Sequence, residues 1–208
     1  MAGVITHLQI GKMIYKDQKY LIDDEIGFYL GTIAPDSIMA KADYQRIDKI
    51  ITHLRIGISS EDWYKDEYQE LYEKRILEFI NKYYNHPQSL NSFYLGYITH
   101  LLTDQYFHNT VRKMIVQKLK DNNLPYTGKD LLKVMTYEFD AFDYYLLHNN
   151  QDLIEIIHMM ENISENYEVQ DLLPCSYIMH NFTWIKTKFI DHQENLNLKY
   201  FQESDILR

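Results

Sequence analysis

The amino-acid sequence predicts an all-α protein, a single multi-helix bundle in one domain spanning residues 1–208. Four prolines and seven glycines are few for this length, so the chain contains few residues that end a helix. Aliphatic and aromatic residues recur at intervals of three and four positions, which is the spacing of one helix face. With 46% hydrophobic and 25% charged residues, the chain can bury the core that such a bundle needs.

The N-terminal part of the chain contains two predicted helices separated by a predicted loop. The first helix lies near residues 4–16, and "GTIAPDS", residues 31–37, stands after it as a conspicuous irregular loop. The segment "SSEDWYKDEYQELYEKRILEFINKYYN" begins with a serine cap and an acidic first turn. Its apolar residues then recur at helical spacing from Trp63 to Ile80, which predicts an amphipathic helix.

The C-terminal part is predicted to continue as helices. One begins near Ser89, after Pro87, and carries "LNSFYLGYITHLLTDQYFHNTV". Another begins near Gly128 and carries "LLKVMTYEFDAFDYYLLH". Two further helices are predicted, one over residues 150–163 and one after Pro174, and no low-complexity linker divides the chain.

The charge and the apolar segments of the chain exclude several classes of protein. A formal net charge of -9 argues against a stable nucleic-acid partner, because nucleic-acid binders present a basic face. No apolar stretch approaches the ~20 residues of a membrane helix, so the protein is expected not to be transmembrane. The N-terminus lacks the pattern of a secretory signal, and Cys175 is the single cysteine. We therefore expect a cytoplasmic protein.

Three of the nine histidines, His7, His53 and His100, stand in copies of one tetrapeptide, "ITHL". The flanks of the copies do not match beyond a short extension of the first two, so a solenoid of repeats is the less favoured explanation. A histidine on the inner face of a helix, anchored by apolar neighbours, can hold its imidazole toward a common centre. The tetrapeptide therefore predicts that three imidazoles converge.

The third copy continues into a pattern of possible metal ligands. His100, Asp104 and His108 are spaced i, i+4, i+8, so they fall within roughly 80° of one helix face while the outer two lie about 12 Å apart along the axis. That arrangement suits two ions with the carboxylate between them. Imidazole with carboxylate indicates zinc, with iron and manganese as alternatives. The competing interpretation is a set of hydrogen-bonded core histidines.

Asp36, in "GTIAPDS", is a further candidate ligand. Aspartate often caps a helix, and Asp36 has that alternative role if a helix begins after Ser37. Its position in a loop between two histidine-bearing segments favours a metal ligand.

These segments together resemble a known family. "ITHLQIG", "GTIAPDS", "ITHLRIG" and "FYLGYITHLLTDQYFHNTV" are similar to sequences of the zinc-dependent phospholipase C family, which is related in fold to the fungal single-strand-specific nucleases. The likeness spans most of residues 4–145. It implies a helical bundle that encloses two or three zinc ions and hydrolyses phosphate esters.

The resemblance also implies a role for each matched residue. His7 is similar to the ligand from the first helix, and Asp36 and His53 to ligands that share one ion. His100 and Asp104 are similar to the next pair, in which the aspartate bridges two ions. The first ligand of the remaining ion corresponds to His108.

The sequence departs from the family pattern at two places. Secreted members use a processed N-terminus as a ligand, whereas here Met1 stands six residues before His7. Members also supply a histidine four residues before a glutamate on a later helix. Glu138 matches the glutamate, but Val134 occupies the position of the histidine. Asp140 and Asp143 are the candidates to replace the missing imidazole. We expect Glu138 and Asp140 to be metal ligands. The alternative is that these carboxylates form a solvated acidic face.

The function expected from this pattern is metal-dependent hydrolysis of a phosphate ester, with a lipid head group or a nucleotide as substrate. A metal-activated water would attack phosphorus in line. Asp36 is the expected catalytic group, either orienting or deprotonating that water. Arg55 is a candidate contact for the substrate phosphate, unless it is an ion-paired surface residue. The alternative function is a non-catalytic, metal-stabilised helical binding protein.

Overall fold

A computed structural model of the protein describes residues 2–59, 62–85, 90–163, 167–191, 194, 196–200, 202 and 204. Within these residues the chain forms helices and no strand, apart from one isolated bridge between Val169 and Leu173, so the predicted all-α fold is confirmed. The α-helices are α1 (Val4–Gln18), α2 (Glu25–Ile33), α3 (Arg46–Thr52), α4 (Asp66–Phe79), α5 (Asn91–Asn109), α6 (Val111–Asp121), α7 (Gly128–Asn149), α8 (Gln151–Met159) and α9 (Cys175–Ile185).

Shorter helical segments extend or connect these helices. The 3₁₀ segments are Lys19–Leu21, Ala34–Ala40 and Met160–Asn162, and two π-helical turns, Ile80–Tyr84 and Lys186–Asp191, follow α4 and α9. None of the helices in the described part of the chain is both long enough and apolar enough to cross a bilayer.

The "GTIAPDS" segment is helical rather than irregular, which corrects the prediction of a loop. Its first three residues form the last turn of α2, and the rest belongs to the 3₁₀ segment Ala34–Ala40. Pro35 stands in the first turn of that segment, where its missing N–H costs no hydrogen bond. The turn signals in the sequence were therefore compatible with a short helix.

The predicted start of the helix near Ser59 was also wrong, since α4 begins at Asp66. The Ser59 hydroxyl accepts a hydrogen bond from the Asp62 N–H at 3.0 Å and donates one to the Asp62 carboxylate at 2.9 Å. The serine thus closes a local turn, with the indole of Trp63 buried beyond it against Tyr72. Ser60 and Glu61 lie outside the described residues.

The helix predicted to begin near Ser89 is α5, which begins at Asn91; Ser89 and Pro87 lie outside the described residues. The predicted helix ran on to Val111, but α5 ends before Thr110, whose φ and ψ are -120° and -69°. The Thr110 hydroxyl donates to the Tyr106 carbonyl oxygen at 2.6 Å, and this local bond competes with continuation of the helix.

The core is organised around α5, which packs against α1, α2 and α6. Phe93, Tyr97, Leu101 and Phe107 are fully enclosed along its length. Polar residues on the same helix are therefore held inside the protein, where each needs a partner.

The tightest packing in the fold is the crossing of α2 and α5. A Cβ atom on Gly31 would collide with the Phe93 carbonyl oxygen, and one on Gly96 would collide with the Phe28 carbonyl oxygen. The two backbones can approach this closely only because both positions are glycine. The crossing brings the C-terminal half of α2 directly against the first two turns of α5.

Candidate metal centre

Five of the predicted ligands converge inside the bundle: His7, Asp36, His53, His100 and Asp104. All five are buried, and they arrive from four elements. His7 lies in the first turns of α1, Asp36 lies in the 3₁₀ segment Ala34–Ala40, and His53 directly follows α3. His100 and Asp104 lie on α5. The predicted convergence of three imidazoles is therefore present.

One group of donor atoms surrounds the His53 imidazole. Its Nε2 lies 3.0 Å from Asp36 Oδ1, 3.2 Å from His100 Nε2 and 3.6 Å from Asp104 Oδ2. His100 Nε2 lies 3.9 Å from the same Asp104 oxygen. Asp36, His53 and His100 each contribute an atom to a set lying within 4.8 Å of one another, as metal ligands do.

A second group adjoins the first and shares His100 with it. His7, His100 and Asp104 also offer donor atoms within 4.8 Å of one another. His7 Nε2 lies 3.5 Å from Asp104 Oδ1, and its ring stacks on the His100 ring with 3.7 Å between centroids. The Ala2 backbone N–H donates to the same Asp104 oxygen at 3.0 Å. The two oxygens of Asp104 thus face different groups, as a bridging carboxylate would.

The protonation of two of the imidazoles follows from their outer hydrogen bonds. His100 Nδ1 lies 2.8 Å from the Thr32 carbonyl oxygen, which can only accept, so Nδ1 carries the proton. The Thr52 hydroxyl donates to the Pro35 carbonyl oxygen at 2.9 Å and lies 3.1 Å from His53 Nδ1, so this nitrogen also donates. In a neutral imidazole with this tautomer, Nε2 carries the lone pair through which imidazole binds metals.

The Nε2 atoms of His53 and His100 face each other across 3.2 Å. Burial, followed by the neighbouring His7, lowers the pKa of His100 well below its usual value, so this imidazole is neutral. A divalent cation satisfies both nitrogens and the adjacent carboxylates together.

The carboxylates of the centre are held in the charged form. Burial alone would raise the pKa of Asp36, but Lys49 and His53 hold it well below its usual value. Burial likewise opposes ionisation of Asp104, but the electrostatic effect of its surroundings, which include His100 and His7, holds its pKa well below its usual value. An anionic oxygen beside a neutral imidazole is the donor set that zinc prefers.

The spacing of the donor atoms fits a zinc ion. With Zn–N and Zn–O bonds of about 2.0–2.1 Å, two ligands of a tetrahedral ion lie roughly 3.3 Å apart, and the contacts around His53 and His100 range from 3.0 to 3.9 Å. Within the described residues, both ring nitrogens of His7 and Oδ2 of Asp104 are buried without a hydrogen bond. Buried polar atoms rarely stay unsatisfied, and this set of donor atoms could be satisfied by a cation.

His108 does not join either group. Its ring packs between Trp63 and Tyr64, with centroid separations of 5.0 and 5.4 Å, and its carbonyl oxygen accepts a hydrogen bond from the Tyr64 hydroxyl. The two turns of α5 between His100 and His108 carry the second imidazole out of the centre and into an aromatic cluster.

Glu138 and Asp140 do not join the groups either, in contrast to the expectation. The buried Glu138 carboxylate accepts hydrogen bonds from the backbone N–H groups of Lys199 and Tyr200 at 2.9 to 3.2 Å. Asp140 pairs with Lys188 at 2.8 Å. Residues two apart on a helix point about 200° away from each other, so α7 turns these carboxylates toward different neighbours.

Asp143, the other candidate to replace the missing imidazole, binds the N-terminal end of α1. Its carboxylate accepts hydrogen bonds from the N–H groups of Ile5 and Thr6 and from the Thr6 hydroxyl, at 2.8 to 3.1 Å. Burial raises its pKa to about 6. Asp143 therefore ties α7 to the helix turn that carries His7.

Arg55 lies beside the centre rather than at the surface. Its guanidinium carbon stands 4.5 Å from the centroid of the Trp63 ring. Nε is buried without a hydrogen bond among the described residues. Burial lowers the pKa of Arg55, and the opposing charge of Asp104 partly offsets that effect.

Lys49 and the threonines of the tetrapeptide also support the centre, and neither was predicted from the sequence. Lys49 Nζ lies 2.6 Å from Asp36 Oδ1, and a usable signal was its position four residues before His53, on the same helix face. The threonine preceding each of the first two histidines anchors it, Thr6 through Asp143 and Thr52 through Pro35. The recurrence of threonine before histidine in the tetrapeptide was the signal that could have predicted this role of the threonines.

Comparisons with known proteins agree with this centre. A family model described as "Zinc dependent phospholipase C" matches residues 6–180, a span that contains all five converging residues. No curated protein and no solved structure matches the chain. With most of its length matched by the family model, the chain belongs to the zinc-dependent phospholipase C family.

Proposed function

We propose that the protein is a metal-dependent hydrolase of phosphate esters, similar in activity to phospholipase C. The observation that carries the proposal is the set of five buried donor residues that face one another, in which His7 and Asp104 have atoms without a hydrogen bond among the described residues. Membership of the zinc-dependent phospholipase C family supports both the metal and a lipid-like substrate. Zinc is the proposed ion, in two positions.

The proposed ligands of the first ion are Asp36, His53, His100 and Oδ2 of Asp104. His7 and Oδ1 of Asp104 would hold the second ion, so that Asp104 bridges the two positions. Bound zinc supplies positive charge for phosphate oxygens and lowers the pKa of water to about 7. The positive charge that phosphate binding requires would thus come from the centre, since the chain itself is acidic.

The residues around the ions have distinct proposed roles. Asp36 orients the attacking water and accepts its proton, and Thr32 fixes the imidazole of His100 by accepting its Nδ1 proton. Arg55 contacts a phosphate oxygen of the substrate, and stacking on Trp63 pre-positions its guanidinium group. Because His108, Glu138 and Asp140 lie outside both groups, the proposal does not need a third ion.

The substrate is proposed to be a phosphodiester with a lipid head group, and a nucleotide is the second candidate. Family membership favours the lipid. The acidic net charge argues against a long polyanion, because repulsion grows with the number of phosphates.

The test combines metal content with turnover. Purified protein is analysed for zinc, iron and manganese, and hydrolysis of a chromogenic phosphodiester and of a phospholipid is followed with and without chelator. Asp36→Asn should lower turnover by about 10²-fold or more, because general base and ligand are lost together. The matched control is Asp152→Asn. Asp152 is exposed, and within the described residues its ion pair is with Lys12, outside the centre.

Two or more zinc ions per chain with chelator-sensitive turnover would support the hydrolase. One tightly bound ion without turnover on either substrate would contradict it and favour the alternative, a metal-stabilised binding protein. The alternative has a specific observation in its favour, which is that the residues expected to hold the third ion serve other contacts.

A further inference from the structure

Lys49 places a positive charge of the protein on one of the proposed metal ligands. Its Nζ lies 2.6 Å from Asp36 Oδ1, and the same oxygen lies 3.0 Å from His53 Nε2. The Lys49 side chain is only 13% exposed. An ammonium group this buried is held by its carboxylate partner rather than by water.

The position of Lys49 on α3 makes this contact a built feature. Lys49 stands four residues before His53, so both side chains leave α3 on one face, toward Asp36. Ile47 and Ile51 lie on the opposite face and are exposed. The helix therefore presents a cation and a metal-binding imidazole to the same aspartate oxygen.

The neighbouring group of donors has a different partner. Within the described residues, Asp104 contacts the imidazoles of His7, His53 and His100 and accepts a hydrogen bond from the backbone N–H of Ala2. None of these is a lysine. Among the carboxylate oxygens of the proposed ligands, within the described residues, the Asp36 oxygen is the one that pairs with a lysine.

We propose that Lys49 competes with the metal ion for Asp36 and so sets the metal affinity of the Asp36–His53–His100 group. The inference rests on the proposed function, in which that group binds zinc. A divalent ion and an ammonium group on one carboxylate oxygen repel each other, and the repulsion is strong where water is excluded. Binding of the ion therefore requires the ammonium group to move away. In the absence of the ion, Lys49 neutralises Asp36 and keeps the buried carboxylate charged.

The test measures zinc affinity and thermal stability in four variants. Lys49→Met and Lys49→Gln remove the charge, and the two differ in polarity, so that one remains informative if the other fails to fold. Lys49→Arg keeps the charge. Lys41→Met is the matched control, since Lys41 pairs with Asp48 at 3.1 Å and not with a proposed ligand. Zinc is titrated against a competing chelator, and melting is followed with and without zinc.

The neutral variants should bind zinc about tenfold or more tightly than the wild type, by removal of a close like charge. Their melting temperature should fall without zinc, because Asp36 loses its partner, and the rise on adding zinc should be larger. Lys49→Arg and Lys41→Met should bind zinc as the wild type does. If the wild type binds zinc and both neutral variants bind it equally or more weakly, the inference is overturned and the proposed function stands. If neither the wild type nor any variant binds zinc, both the inference and the proposed function are contradicted.

Discussion

Two regions of this protein bury carboxylates, and they use them differently. On α5, the oxygens of Asp104 face imidazole nitrogens at 3.5 to 3.9 Å, and one oxygen has no hydrogen bond among the described residues. On α7, the oxygens of Glu138 and Asp143 face backbone N–H groups and a hydroxyl at 2.8 to 3.2 Å. Burial alone therefore does not identify a ligand.

The difference lies in what surrounds each carboxylate. A carboxylate that accepts several N–H bonds is neutralised by the protein and has little capacity left for a cation. A carboxylate beside lone pairs of unprotonated imidazoles adds to the negative potential and requires one. The first kind ties elements together, whereas the second kind builds a binding site. Three substitutions of carboxylates would test this distinction, and a fourth, Gly96→Ala, tests the packing that positions α5. They are ordered by the size of the expected effect.

Asp104→Asn should have the largest effect. The amide removes the negative charge between the two groups of donors and replaces one oxygen with an NH₂ group that cannot bind a metal. We expect zinc affinity to fall on the order of 100-fold or more, since even outer-shell substitutions cost 10- to 100-fold. Zinc content after dialysis measures the change. Retention of the wild-type zinc content would show that Asp104 does not bridge the ions.

Gly96→Ala should destabilise the fold by about 3 kcal/mol or more, because the added methyl group collides with the Phe28 carbonyl oxygen and neither backbone can yield freely. Denaturant unfolding of the zinc-free protein measures the loss. Leu102→Ala, at an exposed position of the same helix, is the control and should change stability little. An equal loss in the two variants would mean that the crossing is not tight.

Asp143→Asn should cost about 1–3 kcal/mol, because one hydrogen-bond acceptor of the α1 terminus becomes a donor. It should also change the pH dependence of stability. Burial raises the pKa of Asp143 from 3.8 to about 6, so the folded state favours the protonated form. Its contribution is complete below pH 3.8 and is lost as pH rises through about 6.

Unfolding free energies of zinc-free wild type and Asp143→Asn, measured from pH 3.5 to 7, provide the comparison. The wild type should lose about 2 kcal/mol more than the variant between pH 4 and pH 6. Parallel profiles would contradict the shift. Zinc affinity should fall less than in Asp104→Asn, since Asp143 positions His7 through the helix turn.

Asp140→Asn should have the smallest effect. The carboxylate is partly exposed and pairs with Lys188, and such pairs contribute about 0–1 kcal/mol. Zinc content and turnover should match those of the wild type. A loss of zinc in this variant would return Asp140 to the metal ligands and weaken the contrast between the two helices.

The sequence predicted the fold class and the five converging residues for different reasons. Helical periodicity extends over long segments, so α1 and α7 were found close to their observed bounds, whereas the start of α4 depended on a local turn at Ser59. His7, Asp36, His53, His100 and Asp104 were found because repeated motifs carry them.

The remaining features depend on tertiary contacts that no motif encodes. Glu138 matched a family position, but its carboxylate is taken by the backbone of Lys199 and Tyr200, some 60 residues later in the chain. Lys49 went unnoticed because lysine usually lies in solvent. A search for charged residues one turn away from a candidate ligand would have found it.

The glycine crossing of α2 and α5 has a consequence for how the centre fails. The last turn of α2 supplies the Thr32 carbonyl that orients His100, and it leads directly into the segment that carries Asp36. Any sliding between the two helices moves a nitrogen donor and an oxygen donor at once. Dissociation of a bound ion and unfolding of the core should therefore occur as one cooperative event at a single temperature. The ion should not dissociate at a lower temperature than the one at which the core unfolds.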